Sequence, residues 1–318
     1  MTVDLVGSLA ARIRGEVARA VVGQDEAVDL LLIALFSSGH VLLEGAPGSA
    51  KTLLARAFAA SLGLQYGRIQ FTPDLMPGDI LGSNLFNFQT SRFTLTRGPV
   101  FTELLLADEI NRTPPKTQAA LLEAMQERRV TIDGEGHELS PLFTVVATQN
   151  PIEQQGVYPL PEAQLDRFLF KHRMAPPTEE EEMRIVAAHG SAAGSTGPAD
   201  WGVTAVVSRD EIAQAVRGVA AVPMADAVVR YVVALARATR DTADVVAGAS
   251  PRAAASLATA ARARAALDGR DYVLPDDVKA LAAPALRHRL LLSPAAEIEG
   301  RQVEDVVTRL IDQVDAPR

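Results

Sequence analysis

Gly45-Ala46-Pro47-Gly48-Ser49-Ala50-Lys51-Thr52 stands between an apolar, strand-like run, Val41-Leu42-Leu43, and a helix-like run, Leu53-Leu54-Ala55-Arg56-Ala57-Phe58-Ala59-Ala60. Strand, loop and helix in that order make an anion cradle. Glycines let the backbone curl around a phosphate, and the helix N-terminus turns free N–H groups and its positive dipole end towards it. In such a loop Lys51 reaches the β- and γ-phosphates and the Thr52 hydroxyl holds Mg²⁺, while Gly45, Ala46, Pro47, Gly48, Ser49 and Ala50 supply the surrounding backbone. The general pattern G-x-x-x-x-G-K-[ST] has glycine where this chain has Ala50. Alanine offers the same N–H, so binding survives there provided the position needs no positive φ. A helix stop at Ser61-Leu62-Gly63 completes the context and argues against a chance match.

The bulk composition narrows the setting. A chain of 318 residues, 48% of them hydrophobic, suggests about two domains with substantial cores. No apolar stretch approaches the ~20 residues that span a bilayer, and no signal-peptide core is present, so the expectation is a cytoplasmic protein without membrane insertion. The absence of cysteine excludes disulfides, thiolate metal sites and a cysteine nucleophile. Five histidines are scattered without metal-ligand spacing, which leaves the nucleotide's Mg²⁺ as the expected metal. With 31 basic against 39 acidic residues the formal charge is −8. That balance disfavours a surface built for nucleic acid and favours protein partners.

Residues 1–175 alternate short apolar runs with helical stretches, the pattern of an α/β layer around a buried parallel sheet. Five core strands are expected at His40–Glu44, Gly67–Phe71, Thr102–Ala107, Phe143–Thr148 and Phe168–Arg173. Between the second and third, Leu85, Phe86, Phe88, Phe93 and Leu95 flank turn residues, which predicts a β-hairpin inserted into a helix. A second ribbon is expected over Arg129–Ile132 and Glu138-Leu139, turning at Asp133–Gly136. After Pro176-Pro177 the composition becomes Ala-rich and helical, and residues 176–318 read as a smaller all-α domain. Thr178-Glu179-Glu180-Glu181 has the capping-box spacing. Gly190–Pro198 reads as a flexible loop, and helices are expected over Arg209–Val219, Ala225–Thr239, Pro251–Leu267 and Pro275–Arg289.

The third expected strand ends Leu104-Leu105-Leu106-Ala107-Asp108-Glu109. A buried strand has no structural use for two carboxylates at its tip, because desolvating them costs several kcal/mol without a compensating cation. Asp108 then serves the Mg²⁺ shell, partly through water, and Glu109 polarises the attacking water. A plain helix cap is the competing account. The fourth strand ends Thr148-Gln149-Asn150-Pro151, where Asn150 can sense the γ-phosphate or simply start a turn. Arg167, in Glu162-Ala163-Gln164-Leu165-Asp166-Arg167-Phe168, is a candidate arginine finger for a neighbouring subunit's nucleotide, against an intrachain pair with Asp166 or Glu162. Arg112 is the second candidate. Ser250 caps a helix that Pro251 opens, which puts Arg252 at the positive end of a dipole; a phosphate held by the other domain would offset that, against an ordinary surface arginine. Gly23 and Gln24, ahead of a helix leading into the first strand, offer backbone contacts to adenine or merely start that helix.

Together these segments resemble the AAA+ ATPases, and in detail the MoxR family, over nearly the whole chain. The details are Gly48-Ser49-Ala50-Lys51-Thr52, Phe71-Thr72-Pro73-Asp74-Leu75-Met76-Pro77-Gly78-Asp79, Ala107-Asp108-Glu109-Ile110-Asn111-Arg112, Ala147-Thr148-Gln149-Asn150-Pro151 and Glu162–Phe168. Within that family Ala50 is a usual variant. The resemblance implies an AAA+ P-loop domain with a five-stranded parallel sheet, an inserted hairpin and a helical lid. It implies a ring, commonly a hexamer, that uses ATP and Mg²⁺ for chaperone-like work on partner proteins, often ones with a von Willebrand factor A domain. It makes Lys51 and Thr52 the Walker A residues, Asp108 and Glu109 the Walker B pair, Asn150 sensor 1, Arg167 the arginine finger and Arg252 the sensor 2 arginine. Gln70 takes the position from which a polar side chain restrains the catalytic glutamate. A chelatase motor subunit, a nucleic-acid motor and a non-hydrolysing scaffold are the alternatives. Between Leu85 and Leu95 the only cation is Arg92, which weakens the second, and Glu109 weakens the third.

Overall fold

The computed structural model describes residues 2–89, 91–151, 156–190 and 197–317. Helices α1 (Thr2–Val17) and α2 (Asp25–Phe36) precede β1 (Val41–Glu44), and α3 (Lys51–Leu62) follows the loop at 45–50. Then come β2 (Tyr66–Gln70), the short α4 (Pro77–Leu81) and a hairpin of β3 (Gly82–Asn87) and β4 (Arg92–Arg97). β5 (Leu104–Asp108), α5 (Pro115–Glu127), a ribbon of β6 (Arg129–Ile132) and β7 (Glu135–Glu138), β8 (Thr144–Gln149), α6 (Glu162–Leu165) and β9 (Phe170–Arg173) complete the α/β part. The remainder is mainly helical: α7 (Glu179–His189), α8 (Arg209–Ala220), α9 (Asp226–Ala238), α10 (Pro251–Leu267), α11 (Pro275–Leu286), α12 (Pro294–Ile298) and α13 (Val303–Gln313). Two short strands, β10 (Val245–Ala247) and β11 (Leu291–Leu292), pair antiparallel within it.

One parallel sheet carries the site, in the order β2–β5–β8–β1–β9. β1 and β5 are buried at every position, so they read as unbroken apolar runs instead of alternating ones. Successive residues still serve opposite faces. Val41, Leu43, Leu104 and Leu106 pack with α1, α2, α3 and lid helices, whereas Leu42, Leu105 and Ala107 pack with Phe71, Phe143 and Phe168 on the other side. The first of these cores runs without a break into Ile212, Tyr231, Leu257 and Leu281 of the helical part. Register brings Glu44 opposite Gln149 and Gln70 opposite Asp108, so the C-terminal tips of β1, β2, β5 and β8 lie along one edge.

The expected sheet, hairpin and helical lid are present, and strand limits shift by one or two residues. The first hairpin departs from expectation in one respect. The helix ahead of it does not resume afterwards; instead the Gly98 and Val100 amides return to the carbonyls of Leu81 and Ile80. The ribbon turn is also tighter than Asp133–Gly136. Asp133 and Gly134, at φ +50° and +85°, form it alone, the backbone a two-residue turn between right-twisted strands requires. Thr178 closes its capping box with Glu181, and Ser250 accepts from the Ala253 amide at 3.1 Å. Of the loop expected at Gly190–Pro198, residues 191–196 lie outside those described. α12 and the β10–β11 pair are too short to have been expected; α13, with Val306, Val307 and Leu310 buried on one face, is amphipathic enough to be read from sequence and was not among the expected helices.

Candidate nucleotide site

The loop at 45–52 wraps the mouth of a cavity of about 560 Å³, lined by Pro47 to Leu53, Arg68, Gln70, Asp108, Glu109, Asn150, Ala20 and Ile185. Ala50 sits at φ +63°, next to Gly48 at +82°. The proviso that its position needs no positive φ is therefore not met. The chain accepts a left-handed alanine, at a cost of about 1–2 kcal/mol, and its carbonyl still takes the Leu54 amide at 2.8 Å. Lys51 Nζ donates to the carbonyls of Gly45 and Ala46 at 2.6 and 2.8 Å and to Ser49 Oγ at 3.2 Å. Burial lowers its pKa, and the nearby carboxylates of Asp108 and Glu109 oppose that shift.

Asp108 is buried and Thr52 Oγ1 lies 3.2 Å from its Oδ2. The Thr148 hydroxyl donates to Asp108 Oδ1 at 2.7 Å and accepts the Glu109 amide at 2.9 Å. One β8 side chain thus fixes both halves of the acid pair. Glu109 adopts φ +58°, ψ +50° and makes no capping bond to the turn it precedes, so the helix-cap account fails. Its Oε2 accepts from Gln70 Nε2 at 2.7 Å and from Arg112 at 2.9 Å. Strain of this kind, of order 1–3 kcal/mol, persists where surroundings over-determine it. Arg68 donates to Asp108 Oδ2 at 2.7 Å and to Gln70 Oε1 at 3.0 Å. With both ends of its amide engaged, Gln70 has one orientation. Asn150 is buried in the same cavity.

Arg68, Thr148 and Ile185 escaped the sequence reading. Arg68 and Gln70 alternate outward on β2, a period-two signal that was available; Thr148 faces Asp108 only through strand register. Ala20 and Ile185 of α7 line the same cavity. Gly23 and Gln24 stand outside the lining: Gly23, at φ +74°, is closed over by the Glu181 carboxylate, and Gln24 donates to the Ala175 carbonyl at 3.5 Å.

Arg167 and Arg252 are brought together, but not here. They line a second cavity of about 320 Å³ with Arg128 and Arg289. Arg167 Nε donates to Gln126 at 3.1 Å, and Asp166 pairs with Arg289 at 2.7 Å, so neither expected intrachain pair of Arg167 forms. This cavity adjoins the start of β1, since the Leu169 amide donates to the His40 carbonyl. The phosphate loop follows the end of β1, about 13 Å of strand away. A phosphate in this chain's own loop is consequently not what offsets Arg252, contrary to the expectation from the lid sequence. Arg112, by contrast, bonds Glu109 of its own chain.

A parallel sheet with this loop and acid pair, a hairpin and a helical lid is the architecture of an AAA+ ATPase. The model of the ATPase family associated with various cellular activities (AAA) matches residues 40–170, and that of the AAA lid domain matches 237–310. The chain is 45% identical over 312 residues to Chaperone MoxR1 of Mycobacterium tuberculosis, covering 95% of this chain and 81% of that one. It is 34% identical to Protein MoxR of Methylorubrum extorquens over 97% and 95% of the two chains. The crystal structure of a candidate ATPase from Cytophaga hutchinsonii shares the fold at TM-score 0.90 with 36% identity, covering 100% and 97%. The chain belongs to the MoxR family of AAA+ ATPases, and its function is of the MoxR chaperone-like, ATP-hydrolysing type.

Proposed function

We propose that this chain hydrolyses Mg²⁺-bound ATP within a ring, six-membered by family precedent, and uses the turnover to remodel or mature partner proteins in the cytoplasm, including partners with a von Willebrand factor A domain. The observation that carries this reading is the convergence of Lys51, Thr52, Asp108 and Glu109 on one cavity. We infer a nucleotide domain over residues 1–175 and a lid over 176–318.

The donor set fits the metal. Thr52 and Asp108 present two oxygen ligands side by side, and no group of three or more acidic or histidine side chains competes for the ion among the described residues. Thr52 and Asp108 are the residues that would hold Mg²⁺, an ion usually bound through only one or two protein carboxylates. When bound, it neutralises charge on the transferred phosphoryl group. The chain's own residues do the rest. Lys51 leaves its loop carbonyls to meet the phosphates. Glu109, held off by Gln70 and Arg112, turns to polarise water, and Asn150 positions it. Arg167 and Arg252, at the opposite end of β1, serve the nucleotide of the next subunit. That placement supports hydrolysis only on assembly.

A protein client is favoured by the first hairpin, where Leu85, Phe86, Phe88 and Phe93 are exposed and the three rings meet edge to face. Aromatic rings can also stack on bases, but without clustered cations they lack the phosphate contacts that dominate nucleic-acid affinity. The test is capture of partners by the Glu109→Gln protein held in ATP, read by mass spectrometry. A protein retained by this variant and absent from a Lys51→Ala control supports the reading; identical recoveries from the two oppose it.

A further inference from the structure

α7 is an unusual helix. Among its described side chains only Glu181 and Ile185 are half-buried; Glu179, Glu180, Glu182, Met183, Arg184, Val186, Ala187 and Ala188 are all exposed. At 100° per residue Glu181 and Ile185 share one face, and Ile185 is the residue that lines the nucleotide cavity. The opposite face holds Glu179, Met183, Val186 and Ala187. Met183 and Val186 are 67% and 69% exposed. An 11-residue helix is marginal in water without a packed face, and here the outward apolar stripe has no partner among the described residues.

A groove of complementary character lies on the lid between α9 and α10, a cavity of about 350 Å³. Val229, Val233, Ala254 and Ala255 line it together with Arg237 and Arg240. Val229 and Val233 are 42% and 45% exposed. The stripe on α7 is apolar with glutamates at its N-terminal end; the groove is apolar with arginines beside it.

Continuity joins the two. Ala255 borders both the groove and the cavity that holds Arg167 and Arg252, just as Ile185 ties α7 to the nucleotide cavity. Within one chain the groove thus flanks the arginine cavity as α7 flanks the nucleotide cavity. We propose that the α9–α10 groove receives α7 of a second copy of this chain, Met183 and Val186 entering among Val229, Val233 and Ala254, with Glu179 and Glu180 facing Arg237 and Arg240. This rests on the reading that Arg167 and Arg252 serve a neighbour. Its consequence is that the lid of one subunit grips the helix flanking the adjacent subunit's nucleotide. The contact is head-to-tail: groove and helix are different patches, so each copy offers one of each and a ring can close.

The test exploits the lack of native cysteine. Met183→Cys protein is mixed with Val233→Cys protein in ATP and treated with a short bismaleimide. We expect a covalent dimer on the order of tenfold more abundant in the mixture than in either protein alone, since only a head-to-tail contact pairs the two sites. Reversing Arg237→Glu with Arg240→Glu should shift sedimentation towards smaller species, and adding Glu179→Arg with Glu180→Arg should restore the larger ones. The same samples are compared with the activity regained when Arg167→Ala and Glu109→Gln subunits are mixed. Recovered activity without the cross-link overturns the groove contact and leaves the arginine reading standing. A cross-link without recovered activity keeps the contact and removes the arginine reading. Failure of both removes both, and equal cross-linking of Met183→Cys alone shows a two-fold packing that contradicts the proposal.

Discussion

Gln70 Nε2 donates to Glu109 Oε2 at 2.7 Å, so the side chain expected to polarise water is tethered by the neighbouring strand. A hydrogen bond to a charged group contributes about 1.5–3 kcal/mol. Gln70→Ala should therefore change basal or partner-stimulated turnover by roughly tenfold or more, since 1.4 kcal/mol is a factor of ten. Turnover rates of the variant, with and without partner, check this; unchanged rates in both would remove the restraint.

Glu109→Gln keeps the shape of the side chain and loses its charge. We expect ATP affinity to stay near the parent value while phosphate release falls by roughly 10²–10⁴, the range for a general base. Nucleotide binding followed by fluorescence, beside a phosphate assay, separates the two effects.

Arg68 sits on Asp108 at 2.7 Å, the carboxylate proposed to serve the metal. Removing it leaves two adjacent carboxylates less compensated when no nucleotide is bound. Its own side chain is 46% exposed, so solvent screening limits the loss to about 1 kcal/mol. Arg68→Ala should melt a few degrees lower in the nucleotide-free state, by the scale of a 1 kcal/mol change, and the gap should narrow with Mg²⁺ and ATP. Thermal melts under both conditions check it; an equal gap in both would show that Arg68 does not stand in for a cation.

His40 is buried beside the start of β1, accepting the Val145 amide at 3.0 Å and lying 3.1 Å from the Met125 carbonyl. Burial, with a smaller contribution from Arg128 and Arg252, pushes its pKa down from 6.5 to about 4. The unfolded chain binds the proton more readily, so stability present above pH 6.5 is lost as pH falls towards 4. The loss is on the order of 3 kcal/mol. His288, buried against the Phe168 carbonyl and likewise lowered well below its usual range by burial, adds to it in the same direction. Denaturant midpoints at pH 7 and pH 4.5 check the slope, and His40→Gln should flatten it.

The site's local parts were legible because each sits in one short segment. Gly45–Thr52 and Leu104–Glu109 announce a loop and an acid pair through composition alone. What register and packing decide was not legible. Thr148 meets Asp108 only because β5 and β8 align as they do, and Ala50 reads as harmless until its φ is known. Arg252 looks in sequence like a capped helix start facing its own nucleotide. The packing of α10 near the start of β1 turns it to the opposite edge.

That placement is what the account stands on, and one measurement addresses it most directly. Arg167→Ala and Glu109→Gln each lack one half of a composite site, so each protein alone should be inactive. Mixed over a range of ratios, they should regain a fraction of ATP turnover that peaks at intermediate composition, as intact interfaces form between subunits. No recovery at any ratio, with both proteins folded and binding ATP, would contradict a nucleotide site completed by its neighbour.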